Sequence, residues 1–324
     1  MVSRRGFLHL GAYASAGLLS GGPAAEKKAP ESRLIFSAKA LLAAIARNEE
    51  EIASILQPYF GRLDETPEPK GRELTYEEGM ALVPRLRSEV SRVIGANPRP
   101  AEVIDLRKAE HLIETVPPLW EALGHWRSVG VSPDFSRASY RRFTGRIELG
   151  QKYWQEEEFY GTYPHEITHS HFEKAGIRDK LREAMKKHHS YRQDLQAGIA
   201  DALLNYEVGN FTNFVNEGAA REVEERCCLA LTEETGNSSI MKSVYSEITE
   251  ELSITYAYAL TINKKARPNW FSERYKPLGV ESSSMVGPHA PGVAMMKLVR
   301  LQSGAGALRQ VFMGDISPLE RFLA

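Results

Sequence analysis

Five consecutive residues, His165-Glu166-Ile167-Thr168-His169, constrain this chain more than any other stretch. An α-helix turns once in about 3.6 residues, so a spacing of four brings both imidazoles to one face when the segment is helical. Two histidines so placed can share a metal ion, and Glu166 beside them can reach a water that the metal activates. The fold must therefore contain a helix here and must set it beside whatever supplies a further ligand. Pro164 suits a helix N-terminus, and Ile167 and Phe172 can face a core, so the helical pattern is expected from about residue 163.

Two histidines fall short of the three protein ligands usual for a catalytic zinc. One known extension, H-E-x-x-H-x-x-G-x-x-H, fails, because Phe172 stands where it needs Gly and Ala175 where it needs His. A glutamate from a second helix is the other route. Phe214-Val215-Asn216-Glu217-Gly218-Ala219-Ala220 offers the leading candidate in Glu217, with Glu222 and Glu224 as rivals. The block Glu222-Val223-Glu224-Glu225 equally suits a solvated helix face.

These two segments together resemble the gluzincin metallopeptidases, whose peptidase MA-like domain carries an N-E-G-x-A segment on a helix after the H-E-x-x-H helix. The resemblance implies one zinc ion held by His165, His169 and Glu217, with Glu166 as general base. Arg221 occupies a turn where some relatives place an acid that supports a histidine ligand. Arg146-Ile147-Glu148-Leu149-Gly150 is similar to the edge strand that pairs with an extended peptide in such enzymes. His289, ahead of a helix carrying Met295, Met296, Leu298 and Val299, corresponds to the position of an oxyanion-stabilising residue, with Tyr256 and Tyr258 behind it. The implied activity is zinc-dependent hydrolysis of a peptide or protein substrate. Two alternatives use the same residues: a non-catalytic, peptidase-like binding protein of the cell envelope, and a zinc hydrolase of a non-peptide amide or ester.

The rest of the chain fits a mainly α (α+β) protein: a helical N-terminal unit at 34–130, then a zincin-like domain at 135–324 with a small sheet. Apolar residues recur at three- and four-residue spacings from Leu34 to Leu56, and Thr75 to Glu78 forms a capping box ahead of a second helix that stops near Gly95. Further helices are expected at 101–114 and 117–128, and a strand within 140–150. Breaks are expected at Gly176, 207–213, Gly236-Asn237 and across a Pro/Gly/Ser-rich connection at 265–291. Glu156-Glu157-Glu158 fits a polar loop or a helix start, and Lys186-Lys187-His188-His189 a solvated turn. His171 points about 200° from His169 around the helix and stands outside the site.

Residues 1–25 stand apart. Arg4-Arg5-Gly6-Phe7-Leu8 opens a short, weakly apolar run that ends in small residues, the pattern of a twin-arginine export signal, followed by a tether at 26–33. The run is too short to span a membrane, so no stable span is expected after its removal, and a periplasmic or secreted location follows. Lys and Arg total 41 against 42 Asp and Glu; removing Arg4 and Arg5 leaves 39 against 42. That balance lacks the basic footprint of a nucleic-acid binder. The only cysteines, the adjacent Cys227 and Cys228, are expected as small buried helix residues, since neighbouring cysteines rarely bond each other.

Overall fold

The computed structural model describes residues 38–107, 138–141, 144–188, 197–275 and 288–324. The export signal, the tether and the helix expected at 117–128 lie outside the described residues. Within them the protein is mainly helical with one three-stranded sheet.

The described residues begin with α1 (Ala38–Arg47), α2 (Glu49–Glu65) and α3 (Tyr76–Ile94). At the start of α3 the Thr75 hydroxyl accepts from the Glu78 backbone N–H while the Glu78 carboxylate accepts from the Thr75 N–H, the expected capping box, and Gly95 ends the helix with φ +76°. Three strands follow: β1 (Glu102–Asp105), β2 (Ala138–Arg141) and β3 (Arg146–Leu149). β3 lies between the other two, parallel to β1 and antiparallel to β2. Two expectations are corrected here. Residues 102–105 form a strand where a helix was expected, because Val103 and Ile104 are β-branched and β3 offers a partner. Strand 146–149 is central, so the described edges of the sheet belong to β1 and β2.

A 3₁₀ turn, Gln151–Trp154, leads into α4 (Glu156–Lys174), followed by α5 (Ile177–His188) and the 39-residue α6 (Ala197–Thr235). Every residue of α4 from Phe159 to Ser170 is buried, so this helix runs through the core instead of lying on it. It opens at Glu156, with three glutamates in its first turn where they complement the helix dipole. Pro164, expected at the N-terminus, is interior; it cannot donate to the carbonyl one turn back, and the Thr168 hydroxyl bonds its own carbonyl at 2.6 Å. The break expected at 207–213 is absent: α6 is continuous there, with Phe211 fully buried.

The remaining helices are α7 (Met241–Ile262), α8 (Asn269–Tyr275), α9 (His289–Ser303), α10 (Ala307–Phe312) and α11 (Ser317–Leu323). α8 lies inside the stretch expected to be a connection, held by Phe271 and Tyr275 against the core. One hydrophobic core runs from Leu41 in α1 to Leu323 in α11. α1–α3 pack against α4, α6, α7 and α9, and β1 joins the common sheet, so the described part of the expected N-terminal unit is not separate from the site helices. Cys227 and Cys228 are free and buried on α6, as expected. No described helix is long and apolar enough to cross a membrane.

Candidate metal centre

Three core elements supply the site. α4 presents His165, Glu166 and His169, α6 presents Glu217, and the first residue of α9 is His289. Glu217 Oε2 lies 3.5 Å from His165 Nε2, 3.5 Å from His169 Nε2 and 3.3 Å from His289 Nδ1. The two α4 imidazoles stand edge to face with centroids 4.8 Å apart, which is the one-face arrangement their spacing requires. One ligand atom each from His165, Glu166 and His169 lies within a 4.8 Å cluster, and the same holds for His165, Glu217 and His289.

Two features test whether this set fits a zinc ion. Glu217 Oε2 is buried and has no hydrogen-bond partner, although three imidazole nitrogens face it. Bonds of about 2.0–2.2 Å in tetrahedral geometry put neighbouring donor atoms about 3.3–3.5 Å apart, the separation of Glu217 Oε2 from each of the three imidazole nitrogens. Imidazole nitrogens with a carboxylate oxygen are donors that zinc accepts. The residues fit.

A second layer of charge lies behind the histidines. The His165 Nδ1–H donates to Glu224 Oε2 at 2.9 Å, which leaves Nε2 facing Glu217. Arg221, buried, donates to Glu224 at 2.5 Å, to Glu247 and to Glu251 at 3.3 Å. Gly161, one turn before His165, leaves room for this acid, since a Cβ there would sit 2.8 Å from Glu224 Oε1. Glu224 thus pairs with His165 on the nitrogen opposite the one that faces Glu217. Glu222 turns away to pair with Lys297. The support that Arg221 failed to provide by residue type comes from Glu224, at i+7 from Glu217, one helical face that the sequence shows plainly. Glu247 and Glu251, four apart on α7, were missed; their spacing is the only signal the sequence carries for them.

In the protein alone, burial works against a charged His165, but Glu217 and Glu224 outweigh it and push the imidazole up to about 10. Burial alone would raise Glu217, yet His169, His165 and His289 hold it well below the usual carboxylate range. Glu224 is lowered in the same way, burial being outweighed by Arg221 and His165. Glu251 is raised to about 7 by burial, with Arg221 opposing. His169 Nδ1 is buried without a hydrogen-bond partner, so His165 and His169 are not equivalently supported.

Tyr256 is not brought to this cluster. It is buried against Trp270 and Phe271 at ring distances of 5.7 and 4.9 Å, so its aromatic packing replaces the oxyanion role considered for it. His171 lies against Phe312, away from the site as its helical angle requires. No protein-family model, curated protein or solved structure matches this chain.

Proposed function

We propose that this chain is an exported metallopeptidase of the gluzincin kind, hydrolysing peptide bonds with one zinc ion held by His165, His169 and Glu217. The observation that carries the reading is the unpartnered Glu217 Oε2 at 3.5 Å from both Nε2 atoms of the H-E-x-x-H pair. When bound, zinc acidifies water and polarises a carbonyl group. Glu166, one residue after His165 and within the same cluster of donor atoms, takes the proton from the attacking water and returns it to the leaving amine. Glu224 fixes the His165 tautomer and ring orientation, and Arg221 fixes Glu224. Half-exposed at the rim, His289 can meet a developing oxyanion. The outer edge of β2, which packs beside α4, takes the role first assigned to strand 146–149, adding an extended peptide to the sheet.

Glu166→Gln tests the reading. Hydrolysis of a denatured protein substrate should fall about 10²–10⁴-fold while the variant keeps one zinc per chain, and chelator should abolish wild-type activity. A variant that cleaves at the wild-type rate contradicts the mechanism. Export rests on Arg4-Arg5; replacing both by Lys should leave the protein uncleaved in the cytoplasm, and undiminished export would remove the twin-arginine assignment.

A further inference from the structure

The donor set contains one imidazole beyond the two proposed as zinc ligands. His289 Nδ1 is 3.3 Å from Glu217 Oε2, closer than either α4 histidine, and 3.9 Å from Glu251 Oε1. The distance to Glu217 is a tetrahedral edge, and that to Glu251 is too long for a hydrogen bond. Glu217 Oε2 therefore has three nitrogens around it at equivalent spacing, two from α4 and one from α9.

The helix crossing that delivers His289 has an independent signature. α9 meets α6 backbone to backbone at Gly292 and Gly218. A Cβ on Gly218 would lie 2.0 Å from the Gly292 carbonyl oxygen, and one on Gly292 would lie 2.3 Å from the Phe214 carbonyl oxygen. Gly218 follows Glu217 directly and Gly292 is one turn after His289, so any larger residue at either place would push His289 away from Glu217. The Thr255 hydroxyl, 3.0 Å from the Ala290 carbonyl, ties the same turn to α7. His289 is held at this distance by packing on two sides.

We propose, resting on the zinc reading above, that His289 Nδ1 is a fourth protein ligand. The resting centre is then a closed set of His165, His169, Glu217 and His289, and His289 yields its place to water or substrate. A catalytic zinc needs an open position, so one protein donor must be able to leave. His289 is the one built to do so. Its side chain is 49% exposed, against 9% for His165 and 11% for His169, and among the described residues no carboxylate pairs with its Nε2 to anchor the ring as Glu224, on Nδ1, anchors His165. Once released, the same imidazole stands at the rim where an oxyanion develops.

Cobalt(II)-substituted full-length protein provides the test, with azide as the exogenous ligand. In the wild-type protein azide must compete with His289, so its apparent affinity is reduced by the fraction of open sites. In His289→Ala that competition is gone, and azide binding should tighten about tenfold or more while one metal per chain is retained. The visible band of the azide-free protein should also shift when an imidazole is exchanged for water. His289→Ala with an unchanged spectrum and unchanged azide affinity overturns the fourth ligand while leaving the zinc reading standing. Glu217→Ala separates the two: if it still binds cobalt(II) as the wild type does, the three-ligand reading itself fails, and this inference with it.

Discussion

Within nine residues, α6 carries two buried charge systems that solve the same problem in different ways. On one face Glu222 and Glu225 flank the buried Lys297 of α9, with Tyr59 donating to Glu225 and Arg300 approaching Glu222 at 3.4 Å. Burial alone would lower Lys297, but the two carboxylates raise it, and the group is cation and anions from one chain. On the other face Glu217 Oε2 meets only imidazoles, and Glu224 and Arg221 hold one of those imidazoles in place. The first system is complete within the protein. The second is neutralised only when a proton or a metal joins it, which explains why His165 is pushed up to about 10 in the protein alone. The comparison separates charge paired within the fold from charge that the proposed function uses as a site.

The sharpest way to break that distinction is at Lys297. Replacing it by Met leaves two carboxylates buried without their cation and should cost about 3–5 kcal/mol in chemical denaturation. Adding Glu222→Gln and Glu225→Gln to the same protein should restore most of that loss. If Lys297→Met costs under about 1 kcal/mol, the cluster does not hold the fold. On the site face, Glu224→Gln should leave stability much less changed and instead weaken zinc about 10–100-fold, read by competition with a chelator. A loss of stability equal to that of Lys297→Met, with zinc affinity untouched, would erase the contrast.

A smaller effect follows from protons. A raised His165 contributes stability to the metal-free protein that is fully present below the ordinary histidine value of about 6.5 and is lost as pH rises towards about 10. The lowered Glu217 contributes stability present above the ordinary carboxylate value and lost as pH falls below it. In the proposed centre zinc displaces the His165 proton, so its affinity should rise about tenfold per pH unit between pH 7 and 9. A flat profile across that range would mean that His165 is already neutral in the metal-free protein.

How much of this could be seen in the residues differs by kind of contact. The His165–His169 pairing is a local helical spacing, and the structure puts the two rings together. Glu217 stood out through its neighbours and lies 3.5 Å from both. The Thr75–Glu78 cap is equally local. What escaped depends on tertiary context. Val103 and Ile104 form a strand only because β3 accepts them, and residues 207–213 stay helical because Phe211 is buried. Pro164 signalled a helix start, but a helix buried on every side tolerates it in its interior. The Glu224 support was visible as an i, i+4, i+7 face with Glu217 and Arg221, but Glu222 and Glu225 between them made the whole block look like an ordinary charged surface. The approach of His289 depends on Gly218 meeting Gly292, 74 positions further along the chain, a contact that no local pattern announces.

Glu217 carries the central claim, and metal content tests it most directly. Wild-type protein and Glu217→Ala, purified side by side and dialysed against the same zinc buffer, should hold one zinc per chain and none respectively, with matching circular dichroism. A folded Glu217→Ala protein that retains one tightly bound zinc would contradict the account and move the third ligand elsewhere.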